Sequence, residues 1–381
     1  MKNLEKKLNM SINKFVNSGR VVGVSIMVAQ HGQVIFERQA GWADRDQDKP
    51  ITDQTLFRLA SMTKPIVSAA TMALIENDIL NLDSPITRWL PKFGPKNSDG
   101  KVALITIRHL LTHTSGLTYG FLSADNEPYH SARVSDGFDE TVLSLDENLE
   151  RLVSVPLLFE PGSSWCYSLA TDVLGAVLEK ACKQPLPDII EQYITGPLDM
   201  KDTSFHVVDS QRLTQAYANN PNGEAARLMR PKDNVLLEGC GLIHYAPNRI
   251  HNKQAYSSGG SGMIGTAKDY LTFLEAVRCG GQPILTENSV KLLTQDATQN
   301  LGEIGAGPGY GFGMGFAVVR DPIAAGIPRN SGSYDWGGVY GTKMFVDPSA
   351  GLSAVMLTNT ALEGLTGTFP NELTKAIYDA I

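Results

Sequence analysis

Apolar residues recur at helical spacing at the start of the chain. Leu4, Leu8, Ile12 and Phe15 fall on one stripe, which predicts an amphipathic helix laid against a core. The pattern then changes to two strand-like runs, Val22 to Ala29 and Gln33 to Arg38, joined by a hairpin turn at His31-Gly32. From Lys64 to about Tyr245 it is mainly helical with long loops. Pro65 to Ile75 is mostly apolar, and Ile107 to Leu111 and Ala170 to Cys182 are further helical runs. Pro91, Pro95, Pro128 and Pro161-Gly162 punctuate this region. Strands return with Gly311 to Val319 and Gly341 to Asp347. A turn at Pro348 to Gly351 leads to a strand over Leu352 to Thr358, and Pro370 to Ile381 reads as a closing helix.

Strands at both ends with helices between them predict an α+β fold. One antiparallel sheet, flanked by the N- and C-terminal helices, draws its strands from both termini. A large, mainly helical lobe sits to one side. The expected division is 1–60 with 246–381 for the sheet lobe and 61–245 for the helical lobe. The cleft between them is the natural place for a site.

Composition narrows the function classes. The chain has 381 residues, 42% of them hydrophobic, ample for a large core. A net charge of −7 and the lack of a basic patch argue against nucleic acid as a partner. No apolar run approaches a membrane span. The first residues, Met1 to Lys7, lack the apolar core of a signal peptide, so the expected location is the cytoplasm. Cys166, Cys182, Cys240 and Cys279 show no metal-ligand spacing and are expected as buried free thiols in a reducing compartment. The histidines show no metal spacing either, and His109 and His113 are expected to be hydrogen-bonded structural residues. No metal or cofactor is implied, and the oligomeric state is left open.

The chemistry lies in Leu59-Ala60-Ser61-Met62-Thr63-Lys64-Pro65. A serine and a lysine three apart lie on one helix face, so the amine can take the hydroxyl proton. Ser-x-x-Lys also occurs at Ser11/Lys14 and Ser98/Lys101. Ser11 lies on the amphipathic first helix and Ser98 in a solvated turn. Only Ser61 opens an apolar helix, with Pro65 tolerated in its first turn. There the unpaired N–H groups favour developing negative charge.

Acyl transfer also needs a group for the leaving-group proton and N–H donors for the oxyanion. A Pro161-Gly162 turn delivers Tyr167 just before the helix Ala170 to Cys182. Beside a lysine ammonium its phenolate is favoured, and Lys64 and Tyr167 are expected to titrate together. Asp335 to Gly341, expected before a strand, contains Gly337-Gly338. Paired glycines let backbone approach a ligand closely, and the Val339 N–H can join that of Ser61 as an oxyanion hole. Tyr119, Phe121, Trp165, Met314 and Phe316 are looser candidates for a pocket lining. The Gly-rich run Ser257 to Gly265 lacks the lysine of a phosphate loop and is expected to turn the chain back beneath the cleft. No Gly-x-Ser-x-Gly nucleophile elbow occurs.

Together, Ser61-x-x-Lys64, Tyr167-Ser168 and Trp336-Gly337-Gly338 resemble the family VIII carboxylesterases, esterases on the class C β-lactamase and DD-peptidase fold. Leu110 to Leu117, Ser258 to Ile264 and Tyr310 to Phe316 match in the same order, so the resemblance spans nearly the whole chain. It implies a β-lactamase/transpeptidase-like fold and catalysis through an acyl-enzyme. Ser61 is then the nucleophile, Lys64 its activating base or proton partner, and Tyr167 a general base and then acid. Ser61 and Val339 donate to the oxyanion, and Trp336, Gly337 and Gly338 bind substrate. Leu169 replaces the asparagine and Trp336 the lysine with which the β-lactamases recognise a β-lactam. A short-chain ester is therefore the expected substrate. The alternatives are a β-lactam, a D-alanyl-D-alanine peptide, acyl transfer to another alcohol, or a non-enzymatic scaffold.

Overall fold

The computed structural model describes residues 2–123, 127–139, 142–207, 209–220 and 222–381. Its centre is an eight-stranded antiparallel sheet. Numbered in chain order, the strands are β1 (Gly23–Gln30), β2 (Gln33–Asp44), β3 (Lys49–Pro50), β4 (Tyr310–Phe312), β5 (Ala317–Val319), β6 (Tyr334–Gly338), β7 (Thr342–Asp347) and β8 (Leu352–Thr358). Across the sheet they run β4-β5-β6-β7-β8-β1-β2-β3. The two ends of the chain meet at its middle, where Val24 pairs with Thr358 and Gln30 with Leu352.

The apolar runs of β1 and β8 follow from burial on both faces. Val24, Ile26, Val28, Ala354 and Met356 share one cluster with Leu4, Leu8, Ile12 and Phe15 of helix α1 (Lys2–Asn17) and with Phe369, Leu373 and Ile377 of the C-terminal helix Thr368–Tyr378. Met27, Val355 and Leu357 point the other way, into the main core with Phe273, Leu274 and Val277 of the helix Ala267–Arg278. That core also takes in helix α2 (Thr63–Glu76), every residue of which from Thr63 to Leu74 is buried. Helix α3 (Ala170–Cys182) has the bounds read from its pattern.

Three expectations need correction. Gly311 to Val319 forms two antiparallel strands, β4 and β5, and the Gly313 N–H bonds to Phe316 O at 2.8 Å to close the turn. Glycines at 311, 313 and 315 leave that stretch too few side chains to hold a single strand. The helical pattern expected up to Tyr245 ends earlier, because Asp233–Leu237 and Gly241–Tyr245 pair as a hairpin. Val235, Ile243 and Tyr245 are buried there, with Asn234, Leu236 and His244 turned outward, the period of a strand. The four cysteines are all free as expected, but Cys240 and Cys279 are exposed and Cys166 and Cys182 are half-buried. No described helix is long and apolar enough to cross a membrane.

Candidate active site

The chain approaches Ser61 through a short strand, Phe57–Arg58, and a 3-10 turn, Ala60–Met62, that runs straight into α2. Ser61 therefore lies one turn ahead of Lys64, where the first N–H groups have no acceptor within the helix. Ala60 has φ of +46°, the left-handed region that a residue with a Cβ occupies only at a cost of about 1–3 kcal/mol. That kink aims Ser61 out of the helix line, and nothing in the sequence announced it. Strand β6 presses on the turn from the other side. A Cβ at Gly338 would overlap the Leu59 carbonyl oxygen and lie 3.0 Å from the Ala60 Cβ. Glycine is thus required where β6 meets the Ser61 turn, which places Gly337-Gly338 and Val339 beside it. Trp336-Gly337-Gly338, expected to precede a strand, ends one of its own. Trp336 is on β6, and its ring lies 5.3 Å from that of Tyr167, edge to face.

Tyr167 arrives as the sequence suggested. Gly162 (φ +85°) turns the chain, its N–H bonded to Thr114 O at 2.7 Å, and Tyr167 stands three residues before α3. Its hydroxyl donates to Ser61 Oγ at 2.6 Å. Lys64 Nζ lies 3.3 Å from the same oxygen and 2.7 Å from the carbonyl of Gly260. The amine also sits over two rings, 4.6 Å from the centre of Tyr167 and 5.1 Å from that of Tyr119. Ser61, Lys64 and Tyr167 are thus brought together, with Val339 and the Trp-Gly-Gly segment at their edge.

Burial governs the electrostatics here. Lys64 is 2% exposed, and desolvation pulls its amine down to about 7, opposed by the through-space attraction of Asp172 and Asp136. No carboxylate pairs directly with it among the described residues. Burial pushes the Tyr167 phenol well above its ordinary value, against the lowering effect of Ser61. This reverses the expectation of a favoured phenolate, because the desolvation of an anion outweighs a nearby amine that is itself easily neutralised. His113, buried against Tyr167 and bonded to Ser168 Oγ at 3.0 Å, is held neutral by burial and by Lys64. His109 closes the cap of the helix Ile107–Leu111 with Thr106. Both histidines are hydrogen-bonded, as expected.

Three participants escaped the sequence reading. The Gly260 carbonyl anchors Lys64, although its glycine-rich segment was expected only to turn beneath the cleft. Asp172 and Asp136 are buried acids. Asp172 accepts from Ser258 Oγ at 2.6 Å, and Asp136 accepts from the N–H groups of Gly120 and Phe121 at 2.7 and 3.2 Å. Burial raises both carboxyls, that of Asp136 to about 7. A lone aspartate within the apolar run Leu169 to Leu178 was the available signal for Asp172. Of the looser pocket candidates, Tyr119 lies 4.9 Å from Tyr167 with the rings tilted, Phe121 stacks on Tyr119, and Trp165 contacts His113. Met314 and Phe316 belong to the buried core. Among the described residues no group of three or more His, Cys, Asp or Glu is placed to hold a metal ion.

The chain is similar to known proteins over nearly its whole length. The family model described as Beta-lactamase matches residues 8–375. The chain is similar to Esterase EstB of Burkholderia gladioli, at 44% identity over 98% of this chain and 95% of that protein. Among solved structures it is similar to EstCE1, described as a hydrolase with promiscuous acyltransferase activity, with a TM-score of 0.95, 40% identity and 99% of each chain covered. Unliganded simvastatin synthase (LovD) from Aspergillus terreus shares the fold at 22% identity, with a TM-score of 0.73 over 97% of each chain. The fold is β-lactamase/transpeptidase-like, with its antiparallel sheet and flanking helices, and with the match over residues 8–375 it establishes that the chain belongs to the β-lactamase family.

Proposed function

We propose that this protein is a serine carboxylesterase that cleaves short-chain esters of small molecules through an acyl-enzyme. The observation that carries the proposal is the placement of one oxygen, Ser61 Oγ, between the Tyr167 hydroxyl at 2.6 Å and the Lys64 amine at 3.3 Å. A lysine lowered to about 7 is available as a base near neutral pH, whereas a phenol raised by burial is not. Ser61 therefore gives its proton to Lys64 as Oγ attacks the ester carbonyl. Tyr167 protonates the departing alkoxide and is resupplied from the Lys64 ammonium. The N–H groups of Ser61 and Val339 receive the oxyanion, and Trp336, Gly337 and Gly338 border the bound ester. Water then releases the acid by the same relay.

The choice of ester over β-lactam rests on Leu169 and Trp336. Leu169 is fully buried and offers no polar atom, and Trp336 carries no charge. The esterase relative agrees with this preference. Hydrolysis of p-nitrophenyl butyrate by the wild type and its loss in Ser61→Ala is the test, run beside a chromogenic cephalosporin. Efficient opening of the cephalosporin ring with negligible ester cleavage would overturn the ester reading. Acyl transfer to an added alcohol is a second reading, favoured by the described activity of EstCE1; product analysis with acceptor alcohols separates it from hydrolysis. The proposal includes a sheet lobe (1–60 with 246–381), a mainly helical lobe (61–245) and a site between them. It also includes a reducing, cytoplasmic setting, supported by four free cysteines.

A further inference from the structure

We infer that the pocket behind the nucleophile turn binds a small oxyanion, a carboxylate or a phosphate, on the buried guanidinium of Arg58. Arg58 lies three residues before Ser61 and is 9% exposed. Its Nε donates to Pro247 O at 3.0 Å and its Nη1 to Thr214 O at 2.6 Å, both neutral carbonyls. Nη2 has no hydrogen-bond partner, and no carboxylate pairs with Arg58 among the described residues. Guanidinium stays protonated in proteins, so the described residues bury a full positive charge without pairing it to a carboxylate. A buried charge left in that state is costly, and a bound anion would offset that cost.

The surroundings fit an anion. Arg58 opens on a cavity of about 60 Å³. A single water needs roughly 10–15 Å³ on the same measure, so the space holds a group of a few heavy atoms. Arg249, Tyr256, Ser261 and Tyr340 also line it, and among the described residues no aspartate or glutamate does. Arg249 donates to the carbonyls of Asp139 and Tyr256 and so holds that side of the wall in place. The Tyr340 ring supports Arg58 from 5.7 Å, and Ser261 Oγ, bonded to Ser258 Oγ at 3.0 Å, adds a hydroxyl. A planar or tetrahedral oxyanion matches the free edge of a guanidinium by charge-assisted hydrogen bonds. The pocket also touches the catalytic frame. Its wall includes Ser261 to Ile264, directly after the Gly260 carbonyl that anchors Lys64, and Met263 O accepts the Leu59 N–H at 2.9 Å.

The test titrates the full chain with acetate and, separately, inorganic phosphate at constant ionic strength maintained by a bulky sulfonate buffer. It reads the melting temperature and calorimetric heat, neither of which depends on ester turnover. A saturable rise in melting temperature is expected. An effect of acetate identifies the carboxylate of an acid product or substrate as the source of the ligand; an effect of phosphate alone identifies free phosphate. Arg58→Gln weakens binding at least tenfold. Because Arg58 also holds two buried carbonyls, Ala255→Glu at the cavity wall is the second variant. Its tethered carboxylate competes for Arg58 and abolishes the response to added anion while far-UV circular dichroism stays native. Selenate in a crystal, located by its anomalous signal, is expected within hydrogen-bond distance of Arg58. No saturable response to either anion in the wild type, an undiminished response in a folded variant, or selenate bound only elsewhere overturns the inference.

Discussion

The chain spells Ser-x-x-Lys on two helices, and the two sites share nothing but the spacing. On α1, Lys14 is 63% exposed and extends to Glu372 on the C-terminal helix at 2.7 Å, away from Ser11. On α2, Lys64 is sealed inside the core, bends onto the Gly260 carbonyl and faces Ser61 Oγ. Exposure leaves the Lys14 amine to water and to the Glu372 carboxylate. Burial lowers Lys64 to about 7 and leaves it a serine and a carbonyl as neighbours. The comparison teaches that the i, i+3 spacing supplies proximity, while reactivity comes from desolvation by the elements packed around it.

The largest predicted effects remove the α2 pair itself. Ser61→Ala or Lys64→Met should reduce kcat/KM for p-nitrophenyl butyrate by a thousandfold or more, roughly the scale of losing a member of a catalytic unit. Tyr167→Phe deletes the hydroxyl 2.6 Å from Ser61 Oγ while keeping the ring against Trp336. Its expected loss is about 10²–10⁴-fold, in kcat more than KM. Rates within tenfold of wild type for Lys64→Met would mean that α2 owes nothing to its buried amine.

The pH profile sharpens the comparison further. Neutral Lys64 is the active form in the proposed relay, so activity should rise with pH through a limb near 7. The Asp172 carboxylate favours the ammonium and raises the Lys64 pKa from where burial alone would leave it. Asp172→Asn removes that attraction, so the acid limb of kcat should move to lower pH. A fall in rate with an unmoved limb would assign Asp172 a packing role alone. The stability sign follows from the same shift. Lys64 holds its proton less tightly folded than unfolded, so between about 7 and its ordinary value of 10.5 the unfolded chain binds more protons and this group's contribution to stability rises with pH. Lys64→Met should therefore raise the melting temperature most at pH 6 and least near pH 10.

Much of this was readable in the residues. The stripe of α1, the bounds of α3 and the apolar runs of β1 and β8 carry their period openly, because each buries a whole face. Ser61, Lys64 and Tyr167 were legible because acyl transfer restricts both residue type and spacing. The Gly260 carbonyl was not, since a backbone oxygen leaves no mark in a sequence. The Ala60 kink was hidden for a related reason: alanine gives no sign of positive φ, which the packing of Gly338 against the turn imposes. Gly338→Ala should test that packing, with overlap costing about 1–3 kcal/mol of stability and a lower kcat from a displaced Ser61. The Tyr167 shift was misread because the sequence showed its partner but not its burial.

The smallest effect belongs to the other helix. Lys14→Ala removes an ion pair whose two side chains are 63% and 36% exposed. Such pairs contribute about 0–1 kcal/mol, reduced further by salt. The stripe that holds α1, Leu4, Leu8, Ile12 and Phe15, is untouched by the change. The melting temperature should therefore fall by no more than a degree or two, less in 0.5 M salt, and ester turnover and its acid limb should be unchanged. Ser11→Ala should be as quiet, since Lys14 is directed to Glu372 and not to its hydroxyl. Measured beside the Ser61 and Lys64 variants, this pair fixes the scale of the comparison: removing the serine hydroxyl or the lysine amine from the same four-residue spelling differs by about three orders of magnitude in rate, because one helix is buried all round and the other along a single stripe.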